Sequence, residues 1–252
     1  MSKLTNKKNI DISFDIKEKV IIITGASKGI GKSIAEELNN RKSIVYGIGR
    51  SFKKNNATNF KYSQLDINDH DEIKNFIKQI FNKHKKIDGL VNVAGVSKEK
   101  TYNLSNFQET IETNLLSTFY LTKETIKYMK LNKKGSVINF TSIGAFQGFS
   151  NNPGYVASKA GLNSLTKAIA LDNGKFNIRV NNIVPGYIKT DMTKNSYKNN
   201  EKSKIRINRT ILKRWGETKD LIGPTIFLLS DASNYITATD LFVDGGFLGK
   251  GI

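Results

Sequence analysis

Short apolar runs alternate with stretches of helical periodicity along the chain, and this alternation restricts the fold more than any other feature. Strands are predicted at Val20 to Thr24, Ile44 to Ile48, Lys61 to Leu65, Gly89 to Val93, Ser136 to Phe140, Arg179 to Val184 and Leu241 to Val243. Helices are predicted between them, at Asp71 to Asn82, Phe107 to Lys130, Gly154 to Asn173 and Lys219 to Leu229, with an amphipathic stretch from Ile30 to Leu38. Apolar strands of this kind need cover on both faces. The order therefore implies an α/β fold, a doubly wound parallel sheet of about seven strands with helices on both faces. No internal repeat or proline-rich linker interrupts the pattern, and 252 residues can form one domain with a large core. Residues 1 to 12 precede the first strand and are expected to form a flexible arm, leaving residues 13 to 252 as a single domain.

The first strand runs directly into Thr24-Gly25-Ala26-Ser27-Lys28-Gly29-Ile30-Gly31, which opens the amphipathic stretch. A glycine turn between a strand and a helix N-terminus presents backbone N–H groups and the positive end of a helix dipole, a combination that holds a pyrophosphate. The spacing is G-x-x-x-G-x-G rather than the common G-x-G-x-x-G.

A second constellation can move protons at a carbonyl. Tyr155 and Lys159 are spaced i, i+4, on one face of a predicted helix, and Ser142 follows the apolar run that ends at Thr141. An unperturbed phenol is a poor acid-base at neutral pH, with a pKa near ~10. A lysine ammonium about 5 Å away, at an effective dielectric of about 20, would favour the phenolate by roughly 3 kcal/mol, about 2 pKa units. The Ser142 hydroxyl would donate to the same carbonyl oxygen.

Composition narrows the chemistry. Cysteine is absent, which excludes disulfides, thiolate nucleophiles and cysteine-ligated zinc. The two histidines, His70 and His84, lie in polar surroundings and are expected at the surface, so no metal is expected. No apolar run is long enough to span a bilayer, and the N-terminal residues lack the apolar core of a signal peptide, so a cytoplasmic location with no membrane partner is expected.

The chain resembles the short-chain dehydrogenase/reductase family, a Rossmann-type fold. The resemblance rests on the glycine turn, Asn92-Val93-Ala94-Gly95, Asn114, Ser142, Tyr155 with Lys159, Pro185-Gly186 and Val243-Asp244-Gly245-Gly246, which occur in the family's order. It implies an NAD(P)(H)-dependent oxidoreductase that interconverts a secondary alcohol and a ketone by hydride transfer. Tyr155 would be the acid-base, Lys159 would lower its pKa and bind the nicotinamide ribose, Ser142 would orient the carbonyl, and Asn114 would support a proton relay. The implied cofactor contacts are Gly25, Ser27, Lys28, Gly29, Ile30, Gly31, Arg50, Ser51, Asp66, Ile67, Asn92, Ala94, Gly95, Tyr155, Lys159, Pro185, Gly186, Ile188 and Thr190. Asp66 takes the position that meets the adenine ring. Two positions depart from the family pattern. Val93 replaces an Asn and is expected to act through its backbone, and Ala238 stands where Gly often follows Thr237, which asks for a slightly different turn.

The end of the second predicted strand reads Gly49-Arg50-Ser51, without the acid that would accept from adenosine ribose hydroxyls. Arg50, with Lys28 in the glycine turn, favours the 2′-phosphate of NADP(H); NAD(H) stays open. The net charge of +18 is spread along the chain without an aromatic-interleaved basic motif, so no nucleic-acid partner is expected. Residues 187 to 214 carry nine lysines and arginines against Asp191 and Glu201. In similar enzymes this segment folds over the substrate. It reads either as a basic lid for an anionic small molecule or as a solvated basic helix.

The C-terminal stretches around Arg214-Trp215 and Val243 to Leu248 resemble those of gluconate 5-dehydrogenase-like sugar-acid dehydrogenases and of 3-oxoacyl carrier-protein reductases. A sugar acid, sugar or polyol is the first expectation and an oxoacyl thioester the alternative. A catalytically silent nucleotide-binding regulator would be expected to have lost part of the Ser142, Tyr155, Lys159 set. Gln147 and Asn152 could bind substrate hydroxyls, whereas Phe146 and Phe149 could wall off an acyl chain. Apolar residues on more than one side of the long helices (Ile111, Leu115, Phe119 and Tyr120; Val156, Leu162, Leu165, Ile169 and Leu171) need partners beyond the sheet. With the Phe247 to Ile252 tail, they imply a homotetramer of the family's kind.

Overall fold

The computed structural model describes residues 13–51, 59–98 and 102–250; the arm expected at residues 1 to 12 and the last two residues of the tail lie outside them. Seven parallel strands form one sheet in the order β3-β2-β1-β4-β5-β6-β7. They are β1 (Val20–Thr24), β2 (Ile44–Gly49), β3 (Lys61–Gln64), β4 (Gly89–Asn92), β5 (Gly135–Phe140), β6 (Ile178–Pro185) and β7 (Asp240–Val243). Each begins and ends within about one residue of its predicted position, because the apolar runs and the turn residues that bound them are local signals.

The helices are α1 (Gly29–Asn40), α2 (His70–His84), α3 (Leu104–Ile111), α4 (Ser117–Asn132), α5 (Pro153–Asn173), α6 (Lys194–Tyr197), α7 (Asn200–Arg209) and α8 (Ile222–Leu229). In β1, alternate side chains enter opposite layers. Ile21 and Ile23 join Ile34, Ala35 and Leu38 of α1 and Ile226, Leu228 and Leu229 of α8, whereas Val20 and Ile22 join α2, α4 and α5 through residues such as Ile77, Leu121 and Ile169. Val20, Ile21, Ile22 and Ile23 are fully buried, so truncating any one of these isoleucines to alanine should cost about 2–5 kcal/mol.

Strand order reverses between β1 and β4, which places a crevice beyond the carboxyl ends of these strands. Beneath it, pairing register aligns Asn92, Asn139, Asn182 and Asp240 in one row across β4 to β7. Their side chains and Thr166 of α5 form a buried hydrogen-bonded series: Asn92 Nδ2 donates to Asn139 Oδ1 at 2.8 Å, Asn139 Nδ2 to Thr166 Oγ1 at 2.8 Å, and Asn182 Nδ2 to Asp240 Oδ1 at 2.7 Å. The series ties α5 to the sheet.

Three expectations change. The helix predicted from 107 to 130 is broken by a π-turn over Glu112–Leu116, and the helix predicted from 219 begins as a 3₁₀ turn at Thr218–Leu221. The histidines are less exposed than expected. His70 is half-buried and stacks on Tyr120 with ring centroids 4.1 Å apart, and half-buried His84 is 2.8 Å from the Tyr46 hydroxyl, because α2 lays both against neighbouring elements. Leu162 and Ile169 enter this chain's own core, while Phe119 and Leu171 stay exposed. Among the described residues no helix is long and apolar enough to cross a membrane.

Candidate active site

The glycine turn bends because Gly25 and Gly29 adopt φ of +68° and +57°, which L side chains rarely accept. Gly31 serves close approach instead: a Cβ there would lie 2.4 Å from the Gly25 carbonyl oxygen. No side chain caps the N-terminus of α1, so its first N–H groups are left to an anion. Thr24 closes the other side, its Oγ1 accepting from the backbone of Val93 and Ala94, both at 2.9 Å. Val93 contributes its backbone here and its side chain to the cleft wall.

Gly25, Ser27, Lys28, Gly29, Ile30, Gly31, Arg50, Ser51, Asp66, Ile67, Ala94, Gly95 and Thr190 all line one cleft of about 290 Å³. It shares Ile30, Val93, Gly95, Thr190 and Met192 with a second cavity of about 120 Å³, lined also by Ser142, Tyr155, Lys159, Pro185, Gly186 and Ile188. The two form one path from the glycine turn to the phenol. Val96, Thr113, Met192 and Thr193 join the walls without having been picked out in the sequence. Thr193 Oγ1 donates to the Ile188 carbonyl at 2.6 Å and accepts from Thr190 N at 3.0 Å, which shapes the first turn after β6.

Asn92 and Asn114 stand apart from the other expected residues. Asn92 lies under the cleft in the amide series. Asn114, fully buried at the centre of the π-turn, accepts from Val96 N at 2.8 Å and donates to Val96 O at 2.9 Å and to Ser158 Oγ at 3.0 Å. Its side chain thus clamps the loop after β4 to α5. Any part in a proton relay would fall to its backbone.

Ser142, two residues beyond β5, caps the turn at Ile143–Ala145 and accepts from Gly144 N at 3.0 Å, which leaves its hydroxyl proton for another acceptor. Lys159 is buried and donates to the Phe140 carbonyl at 2.7 Å. Burial pushes its pKa down to about 8. The Tyr155 phenol does not show the lowering expected from the i, i+4 spacing. Its pKa is raised, because burial outweighs the hydrogen bond to Ser142 that lowers it. Lys159 Nζ sits 5.8 Å from the Tyr155 ring centre and spends a donor on Phe140, so it does not bond the phenol directly. A group between them, such as the ribose hydroxyls of a bound dinucleotide, would have to couple the two.

The loop after Ser142 is only partly as expected. Phe149 stacks on Tyr155 with ring centroids 6.2 Å apart, whereas Phe146 packs on Phe242. Asn152 is buried and donates to Ser97 Oγ at 2.6 Å. Ala238 holds φ of +59°, a left-handed backbone that glycine adopts more easily, with its N–H on the Val180 carbonyl.

A family model described as enoyl-(acyl carrier protein) reductase, one of the short-chain dehydrogenase/reductase models, matches residues 25–248. The chain belongs to the short-chain dehydrogenase/reductase family. Among relatives of this short-chain dehydrogenase/reductase, 2-dehydro-3-deoxy-D-gluconate 5-dehydrogenase of Pseudoalteromonas atlantica is 35% identical, over 94% of this chain and 98% of its own. The 3-oxoacyl-[acyl-carrier-protein] reductase of Rickettsia bellii is 38% identical, over 93% and 98%. The ligand-free aldohexose dehydrogenase of Thermoplasma acidophilum has the same fold, with a TM-score of 0.88 and 29% identity over 94% of this chain and 96% of that one.

Proposed function

We propose that the protein is an NADP(H)-preferring dehydrogenase/reductase that interconverts a secondary alcohol and a ketone on a sugar acid or related polyol. The observation that carries this reading is the convergence of Ser142, Tyr155 and Lys159 on one cavity continuous with the glycine-turn cleft. A dinucleotide seated along that path would bring its nicotinamide beside the phenol and supply or accept the hydride. Ser142 would polarise the carbonyl, Tyr155 would exchange the proton at its oxygen, and Lys159 would act on the phenol through the nicotinamide ribose. A silent regulator is disfavoured, since no member of the set is lost or displaced.

Lys28, Arg50 and Ser51 line the same cleft, with no acid at the end of β2, which supports the 2′-phosphate. NAD(H) remains the second cofactor reading. The gluconate-type relatives support the sugar acid, and reductases of the Rickettsia type keep the oxoacyl thioester as the second substrate reading. We also propose a single domain over residues 13 to 252, assembled as a cytoplasmic homotetramer, with Phe119 and Leu171 among the apolar residues left exposed by one chain. Assays of gluconate-type sugar acids, polyols and acetoacetyl thioesters with each cofactor, followed at the nicotinamide absorbance, test activity, cofactor and substrate class. Turnover of thioesters alone would replace the sugar-acid reading.

A further inference from the structure

An aromatic and cationic cluster lies on the lid side of Tyr155. Phe149 lies 6.2 Å from the Tyr155 ring at an interplanar angle of 13° and 6.4 Å from the Tyr187 ring at 28°. Tyr187 immediately follows Pro185-Gly186, and Trp215 and Phe247 hold its ring edge-on at 5.6 and 5.2 Å. Gly186 and Ile188, on either side of Tyr187 in the chain, both line the cavity that holds Tyr155. Among the described residues no group hydrogen-bonds to the Tyr187 hydroxyl. That phenol is fixed in place and has a free donor.

Arg206 of α7 covers the Tyr187 ring, its guanidinium carbon 4.7 Å from the centroid. The Nε of Arg206 is buried and has no partner, and Nη1 makes one long bond, 3.3 Å to the Lys202 carbonyl. No carboxylate among the described residues pairs with it. Other lid cations are already engaged: Arg214 forms a two-pronged pair with Asp220, and Lys213 donates to the Asn208 carbonyl. A buried cationic donor without an acceptor is costly, and the edge of a guanidinium that includes Nε is the edge that meets a carboxylate through two parallel hydrogen bonds.

We propose that Arg206 and Tyr187 form the carboxylate-recognition site of the substrate pocket, Arg206 pairing with the acid group and Tyr187 donating to an oxygen of the same substrate. The site rests on the sugar-acid reading and narrows it to anionic substrates. Of the two sequence readings of the basic segment, it assigns α7 to a lid whose Arg206 and Arg209 lie over the Tyr187 and Phe247 rings, with Arg206 as the cation that meets the substrate.

Kinetics of Arg206→Met and Tyr187→Phe with gluconate and with an uncharged aldose test the site. For Arg206→Met the KM for gluconate should rise about ten- to a hundred-fold, the worth of a charge-assisted pair. The loss of kcat/KM on the aldose should be at least ten-fold smaller, and Arg206→Lys should recover only part of the acid's affinity. Tyr187→Phe should raise the same KM by a smaller factor. Equal losses on acid and aldose would overturn the proposal. Calorimetry of tartrate against the enzyme–NADP+ complex needs no turnover. Binding to the wild type that weakens at least ten-fold in Arg206→Met supports the site even if gluconate is not oxidised, in which case the sugar-acid reading fails alone. Tartrate that does not bind, or binds both proteins equally, overturns the site even if gluconate is a substrate. NADP+ affinity near wild type shows that the variants are folded.

Discussion

Lys159 donates its ammonium to the Phe140 carbonyl at 2.7 Å, which pins the helix that carries Tyr155 to the strand that leads into Ser142. The contact spans nineteen residues of sequence and fixes the distance between the proposed acid-base and the proposed carbonyl donor. An ammonium has three donors. One holds the scaffold, and the other two have no hydrogen-bond partner among the described residues.

Tyr155→Phe removes one hydroxyl and almost no volume. Turnover should fall by at least about a hundred-fold, the usual worth of general acid–base catalysis, with NADP(H) affinity nearly intact. Steady-state rates alongside fluorescence titration of NADPH check both halves; near wild-type turnover would remove Tyr155 from its role.

Lys159→Met should damage turnover and cofactor affinity together, and it should also change how stability depends on pH. The folded-state pKa of Lys159 lies at about 8, below the ordinary lysine value of 10.5. Between these values the unfolded chain binds the proton and the folded chain does not, so stability rises with pH across that window. The wild type should therefore gain up to about 3 kcal/mol relative to Lys159→Met between pH 8 and 10.5. Urea unfolding of both proteins at a series of pH values measures the difference, and a flat difference would show that Lys159 is not desolvated.

Arg50→Ala should weaken NADPH binding about ten- to a hundred-fold, corresponding to roughly 1.5–3 kcal/mol for a charge-assisted phosphate contact, and leave NADH binding almost unchanged. Parallel titrations decide. Equal weakening of both cofactors would refute the 2′-phosphate assignment.

Ala238→Gly should stabilise the protein by about 0.5–1 kcal/mol. Relief of the left-handed backbone at Ala238 is worth roughly 1–2 kcal/mol, and glycine's extra freedom in the unfolded chain takes back part of it. Chemical denaturation reads the sign directly; destabilisation would mean that no strain is stored there.

Light scattering at micromolar concentration tests assembly. The expected mass is that of four chains, with Phe119 and Leu171 covered. A mass near 28.2 kDa would rule the tetramer out.

The sequence by itself determined whatever depends on spacing within one segment. The apolar runs at 20 to 24 and 136 to 140 could only be buried strands, the turn at Gly25 and Gly29 needed residues without a Cβ, and the 3.6-residue period placed Tyr155 and Lys159 on one helix face. Burial and partners were decided only when distant segments met. The raised Tyr155 pKa follows from desolvation by packed neighbours and reverses an inference drawn from spacing alone. The use of the Asn114 side chain on Val96 needs a π-turn that no helical period announces. Asn92, Asn139 and Asn182 become a row only through the register of separate strands. His70 and His84 sit in polar sequence yet are partly covered, since α2 turns them toward Tyr120 and Tyr46. Arg206 was one of nine cations in its segment until the fold placed it over Tyr187 and left its Nε buried without a partner. Local periodicity sets which way a side chain points along its own element, whereas solvation and hydrogen bonding depend on what lies across from it in space.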